Sequence, residues 1–216
     1  MAIQDLFSLQ GEVAIITGAG RGIGRAIAIA FAQAGASVVC AARTQADIDD
    51  TAAQCRQAGG KALAISCDVS SEDDLAKLVQ SSLEQFGKIS ILVNNAGGAY
   101  PNDPLKTDAK AFNRDFNFNV TSAFTLTQLC QPSLLASRGN VINITSAVAR
   151  YCQAGFSSYG TAKAALTQMT KLLAADFAPD IRVNAVAPGT ILTEALGQFL
   201  NPQIQEKKTP LTPLKR

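Results

Sequence analysis

Six short runs of aliphatic and β-branched residues recur along the chain, and a longer stretch with helical spacing follows nearly every one of them. The runs are Val13–Thr17, Ser37–Ala42, 62–67, 89–93, 140–145 and 181–186. Most are continuous in apolar character rather than alternating, as expected of strands covered on both faces. Helical patterns span 22–34, 45–58, a segment capped by Ser70 or Ser71 with Asp73 and Asp74 in its first turn, 108–136 and 157–177. Strands separated by helices predict an α/β fold with a doubly wound parallel sheet and helices on both faces. In the 108–136 helix a disturbance is expected at Pro132, which cannot donate a backbone hydrogen bond. No repeat, low-complexity stretch or linker divides the 216 residues, so one domain over 1–216 is expected. The segment 201–216 is richer in proline and lysine and holds no further strand pattern.

Composition narrows the chemistry more than the fold. The chain has no histidine, which removes Ser-His-Asp triads, Cys-His pairs and histidine-bound zinc, and no metal site is expected. Acid/base work near neutral pH must then fall to Tyr, Lys, Asp, Glu or Cys. A net charge of +2 without a basic cluster gives no reason to expect nucleic acid or a membrane surface as partner. Neither a signal-peptide pattern nor a bilayer-length apolar run is present. The five cysteines, Cys40, Cys55, Cys67, Cys130 and Cys152, are scattered and odd in number, which suits reduced thiols in a cytoplasmic protein. Cys40 and Cys67 lie in apolar runs and are expected to fill the core.

The first strand runs into Thr17-Gly18-Ala19-Gly20-Arg21-Gly22-Ile23-Gly24, which opens the first helix. Glycines there let the backbone turn tightly and approach a pyrophosphate at the helix N-terminus. The spacing, glycine at 18, 22 and 24, differs from G-x-G-x-x-G, and a glycine-rich turn without ligand has the same composition. Dinucleotide sites selective for NAD carry an acid at the tip of the second strand. Here that tip reads Cys40-Ala41-Ala42-Arg43-Thr44, with Asp47 already in the next helix. Arg43, with Arg21 opposite, could pair with a 2′-phosphate, which favours NADP(H) over NAD(H). Either arginine alone equally suits a solvated surface.

Tyr159 and Lys163 stand four apart on a helix and so share a face. An ammonium near a phenol favours the phenolate, and the pair could exchange a proton with a substrate oxygen. Such pairs are also common on exposed helices. Three further loops reach the same sheet edge: Asn94-Asn95-Ala96-Gly97, Asn143-Ile144-Thr145-Ser146 and Pro188-Gly189. Each alone reads equally as a turn or cap.

Taken together, these motifs resemble the classical short-chain dehydrogenase/reductase family, from about Gly11 to the end of the sequence. The resemblance implies a Rossmann fold binding NADP(H), with Gly18, Gly20, Arg21, Gly22, Ile23 and Gly24 in the cofactor loop. It implies that Asp68 and Val69 flank the adenine and that Asn95, Ala96 and Gly97 lie along the cofactor. Asn119 would support a proton-relay water with Lys163, and Ser146, Tyr159 and Lys163 would complete a catalytic tetrad. Tyr159 and Lys163 would also touch the cofactor, as would Pro188, Gly189 and Ile191, with Thr193 at the nicotinamide carboxamide.

Within the family, residues 91–98, 142–146, 181–188 and 189–196 are similar to bacterial 7α-hydroxysteroid dehydrogenases. That implies a secondary alcohol on a bile-acid-like steroid as the small-molecule substrate. The same motifs serve 3-oxoacyl carrier-protein reductases, and a non-catalytic nucleotide-binding protein could share the fold. All four tetrad residues being present favours catalysis. Relatives pair through the helices corresponding to 108–136 and 157–177, so a homodimer is expected. Relatives also continue past the position of Arg216 with a helix and a last strand. The expectation is therefore a C-terminally truncated sheet with an open sixth strand and a less secure tetramer.

Overall fold

Each apolar run becomes a parallel strand: β1 (Val13–Thr17), β2 (Ser37–Ala42), β3 (Ala62–Ser66), β4 (Ile91–Asn94), β5 (Asn140–Ile144) and β6 (Arg182–Val186). The helices are α1 (Gly22–Gln33), α2 (Gln45–Gln57), α3 (Glu72–Phe86), α4 (Ala109–Phe116), α5 (Ser122–Ser137) and α6 (Ser157–Asp176). This is a computed structural model, and it describes residues 6–99 and 101–194. The sheet order is β3-β2-β1-β4-β5-β6. The direction of winding reverses between β1 and β4, and in open α/β sheets ligands bind at that point, outside the carboxyl ends of the strands.

β1 shows why the strands are apolar throughout. Ala14 and Ile16 join one core cluster with Ala28, Val38, Cys40, Ile48 and Cys55, under α1 and α2. Ile15, pointing the other way, joins Val39, Leu75, Leu92, Leu126, Leu134 and Leu173, under α3, α5 and α6. Both faces being covered, each large side chain contributes about 1.5–3 kcal/mol of burial. Cys40, Cys55, Cys67 and Cys130 are buried free thiols and Cys152 is exposed. At the start of α3 it is Ser71, not Ser70, that caps, accepting from the Asp74 amide at 3.2 Å ahead of a first turn bearing Glu72, Asp73 and Asp74.

The expected 108–136 helix is interrupted, though not at its proline. Asn117–Thr121 forms a turn of π-helix between α4 and α5, while Pro132 sits inside α5 without ending it. Asn119 accounts for the break. Its side chain turns inward to the loop after β4, and its Nδ2 also donates to the carbonyl of Asp115 one turn earlier, at 2.8 Å. Asn94 and Asn143, facing each other on β4 and β5, form a second buried polar unit. Asn94 Nδ2 donates to Asn143 Oδ1 at 2.9 Å, and Asn143 Nδ2 donates to Thr170 Oγ1 on α6 at 2.9 Å. Among the described residues β6 pairs with β5 alone. Residues 201–216 and the end of the 189–196 stretch lie outside the described residues.

Candidate active site

The glycine loop is shaped by what its neighbours leave no room for. A Cβ at Gly18 would come within 2.8 Å of Asn95 Nδ2, and one at Gly24 would strike the Gly18 carbonyl. Gly18 and Gly22 have positive φ, 65° and 55°, which disfavours any side chain. Beside Gly22 lies the methyl of Thr193, 3.1 Å from where a Cβ would stand, so the segment after β6 reaches the glycine loop. The loop therefore presents bare, side-chain-free backbone at the N-terminus of α1, the chemistry that suits a dinucleotide pyrophosphate. Arg21 and Arg43 are both exposed at this end, and Asp68 is half-buried beside a nearly buried Val69.

Three braces that the sequence did not suggest hold this loop. Thr17 Oγ1 accepts from the amides of Asn95 and Ala96, both at 3.0 Å, and donates to the Val93 carbonyl. Thr51 Oγ1, buried on α2, donates to the Ala19 carbonyl at 3.0 Å. Arg25 Nε donates to the Gly20 carbonyl at 3.1 Å and its guanidinium pairs with Asp50. Asn95 also braces the loop, since its Nδ2 donates to the carbonyls of Thr17 and Gly18 at 2.8 and 3.2 Å.

Around the switch point, Asn119, Ser146, Tyr159, Lys163 and Gly97 come together. Asn119 Oδ1 accepts from the Gly98 amide at 2.9 Å and its Nδ2 donates to the Gly98 carbonyl at 3.0 Å. Lys163, 3% exposed, donates from Nζ to the Ile144 carbonyl at 2.9 Å, and Nζ stands 5.8 Å from the centre of the Tyr159 ring. A Cβ on Gly97 would fall 2.7 Å from Asn119 Oδ1 and 2.9 Å from Lys163 Nζ. Ser146 opens a short 3-10 turn after β5, its Oγ accepting from the Val148 amide at 3.4 Å, and its hydroxyl is close enough to the Tyr159 phenol to influence its ionisation. Behind it, the Ala147 amide donates to the Pro188 carbonyl at 2.9 Å, which ties the loop after β6 to the serine turn.

The electrostatics differ from the simple expectation of a phenol acidified by its lysine. Burial raises the Tyr159 phenol above its ordinary value, and the neighbouring Ser146 hydroxyl only partly opposes this. Burial also pulls the Lys163 ammonium down, to about 8. Both groups lose water, and each shifts toward its neutral form. For lysine, a folded value below the unfolded one means that burial of the charge costs most below pH 8. The cost disappears as pH rises to about 10.5. The stability of the wild type relative to Lys163→Met should therefore rise between pH 7 and 10.5, by up to roughly 3 kcal/mol. Denaturant melts of both proteins across that range check this; a constant difference would contradict it.

The model of the short chain dehydrogenase family matches residues 12–203. The chain belongs to that family. 7α-Hydroxysteroid dehydrogenase of Escherichia coli is 42% identical over 98% of this chain and 84% of its own length. A solved 7α-hydroxysteroid dehydrogenase complexed with NADH and 7-oxo glycochenodeoxycholic acid superposes with a TM-score of 0.95 at 40% identity, covering 100% of this chain and 85% of that one. RhlG of Pseudomonas aeruginosa, in an NADP complex, gives 0.90 at 33% identity, over 97% and 85%. As a short-chain dehydrogenase, the protein is an NAD(P)-dependent oxidoreductase acting on CH–OH groups.

Proposed function

We propose that this chain, as one domain, interconverts a secondary alcohol and its ketone with NADP(H), using Asn119, Ser146, Tyr159 and Lys163 as catalytic residues. The observation that carries the assignment is the meeting of Ser146, Tyr159, Lys163 and Asn119 from three separate elements at the switch point. In the oxidising direction Ser146 Oγ holds the substrate oxygen and Tyr159, reacting as its phenolate, takes the proton on Oη. Lys163, held by the Ile144 carbonyl, offsets the negative charge that the phenolate carries before it takes the proton, the same charge that develops on the phenol in the reducing direction. Asn119, with Gly97 leaving space before it, lines the exit for that proton. The bound nicotinamide supplies the hydride acceptor, or the donor in the reverse direction. It would lie along Asn95, Ala96, Gly97, Pro188, Gly189 and Ile191, with Thr193 at its carboxamide.

For the substrate we favour a hydroxysteroid, the class named for the two 7α-hydroxysteroid dehydrogenases reported above. Leu105, Tyr151, Ile191 and Leu192, in loops at the same sheet edge, leave large apolar surface exposed. That suits a bulky apolar alcohol better than a sugar or a small polar one. A cofactor-oxidation screen over bile acids, small ketones and acyl thioesters tests this. Turnover confined to acyl thioesters would replace the reading with carrier-protein reduction.

The cofactor preference rests on Arg43. Ala42 leaves no acid to hold a ribose 2′-hydroxyl, and an exposed guanidinium stands next to it. NADPH should bind more tightly than NADH. Arg43→Ala should narrow the gap by about 10- to 100-fold, the usual range for a charge-assisted hydrogen bond. Equal affinities in the wild type, read by fluorescence titration, would remove this role from Arg43. We further assign the protein to the cytoplasm, as a homodimer pairing through α4, α5 and α6. Phe124, Leu129 and Leu172 are exposed apolar side chains on two of those helices, and light scattering reads the mass. No helix among the described residues is long and apolar enough to cross a membrane.

A further inference from the structure

Helix α6 carries Tyr159 in its first turn but lacks the usual start of a long helix. Phe156, at the N-cap, makes no side-chain cap bond, and no acidic residue follows in the first turn. Such an end leaves unpaired amides and a partial positive charge. A carboxylate from another helix stands there instead. Asp115, in the last turn of α4, is 8% exposed, and its Oδ2 accepts from Ser158 Oγ at 2.8 Å. Ser158, immediately before Tyr159, is buried and accepts in turn from Asn102 Nδ2 at 3.0 Å. The Asn102 amide donates to the Gly155 carbonyl at 2.8 Å, so the loop after β4 is tied to the turn entering α6.

The same residue also touches Asn119. The Asp115 carbonyl accepts from Asn119 Nδ2 at 2.8 Å, so one buried residue contacts both the asparagine of the site and the neighbour of its tyrosine. The cation nearest the carboxylate is Arg114, at 3.4 Å, with a side chain 74% exposed. An exposed ion pair of that kind offsets little of the desolvation of a buried carboxylate, and apolar residues would fill the space without that cost. The charge therefore calls for a role beyond packing.

We infer that Asp115 is a positioning residue, which acts through Ser158 to fix the Tyr159 phenol relative to Asn119 and Lys163. This rests on the assignment of Tyr159 proposed above. The chain has three tyrosines and no tryptophan, so phenol ionisation is readable by ultraviolet absorbance, and subtracting the Tyr159→Phe titration isolates Tyr159.

Asp115→Ala and Ser158→Ala should each move the Tyr159 ionisation midpoint. Each should also lower kcat about tenfold with the cofactor dissociation constant held within about twofold, as expected for misplacement of a reacting group. Asp115→Asn keeps an acceptor oxygen and should restore most of both. The double variant should be no worse than either single one, since both remove the same contact. If the variants lower only the melting temperature, or if their effects on kcat add, the inference fails. Should Asp115→Ala not fold, Ser158→Ala and Asp115→Asn carry the same readouts. The titration needs no substrate, so it reads the Asp115 device even if the proposed reaction is wrong. Full turnover by Tyr159→Phe would instead overturn the assignment of the tyrosine itself.

Discussion

Tyr159→Phe is expected to lower turnover by about 10²- to 10⁴-fold, the range that a positioned acid or base contributes. The ring keeps its place, since it packs beside Phe156 with centroids 6.2 Å apart and loses only its hydroxyl. Cofactor affinity should therefore stay within about twofold, because the glycine loop and its braces at Thr17, Thr51 and Arg25 are untouched. No histidine exists anywhere in the chain to take over the proton. Steady-state kinetics beside a cofactor titration decide it, and wild-type turnover in the variant would refute the mechanism.

Gly97→Ala should be nearly as damaging, although one methyl group is all it adds. The glycine has no positive φ, so backbone conformation does not demand it. What demands it is space. The new carbon would fall within 3 Å of both Asn119 Oδ1 and Lys163 Nζ, closer than such contacts allow. One or both must move, and displacement of a reacting group by about 1 Å can cost about 100-fold in rate. Affinity for the cofactor should fall far less than kcat. A variant with unchanged kcat would show that the gap between Asn119 and Lys163 has no part in the reaction.

The sheet was legible because its strands carry apolar residues on both faces, as Ile15 and Ile16 show by entering opposite cores. Strand ends were legible to within two residues. The break in the long helix was misplaced, since proline is a local signal, whereas Asn119 breaks the helix through bonds to Gly98, distant in sequence. Tyr159 and Lys163 drew attention through their spacing on one helix face and Ser146 through its place at a strand end, whereas Asn119 was named only through the resemblance to the family. Thr17, Asp115 and Ser158 did not stand out, because a buried threonine, aspartate or serine declares its partner only in three dimensions. The direction of the Tyr159 shift was missed for a similar reason: a lysine four residues away is visible in sequence, but the loss of water around the pair is not.

The π-helical turn at Asn117–Thr121 has a consequence for how this chain tolerates insertions and deletions. A π-turn spends one residue more than an α-turn without adding its share of length. Removing any one residue from 117–121 would let α4 and α5 fuse into a continuous rod. Because the extra residue is absorbed within the turn, α4 and α5 would keep their relative facing, and the change would fall on which side chain meets Gly98. The fused helix would have better backbone hydrogen bonds and no asparagine pointing at Gly98. Such a deletion is an unusual lesion, one that regularises a helix while it dismantles the site. It should be selected against through activity even where the sheet still folds.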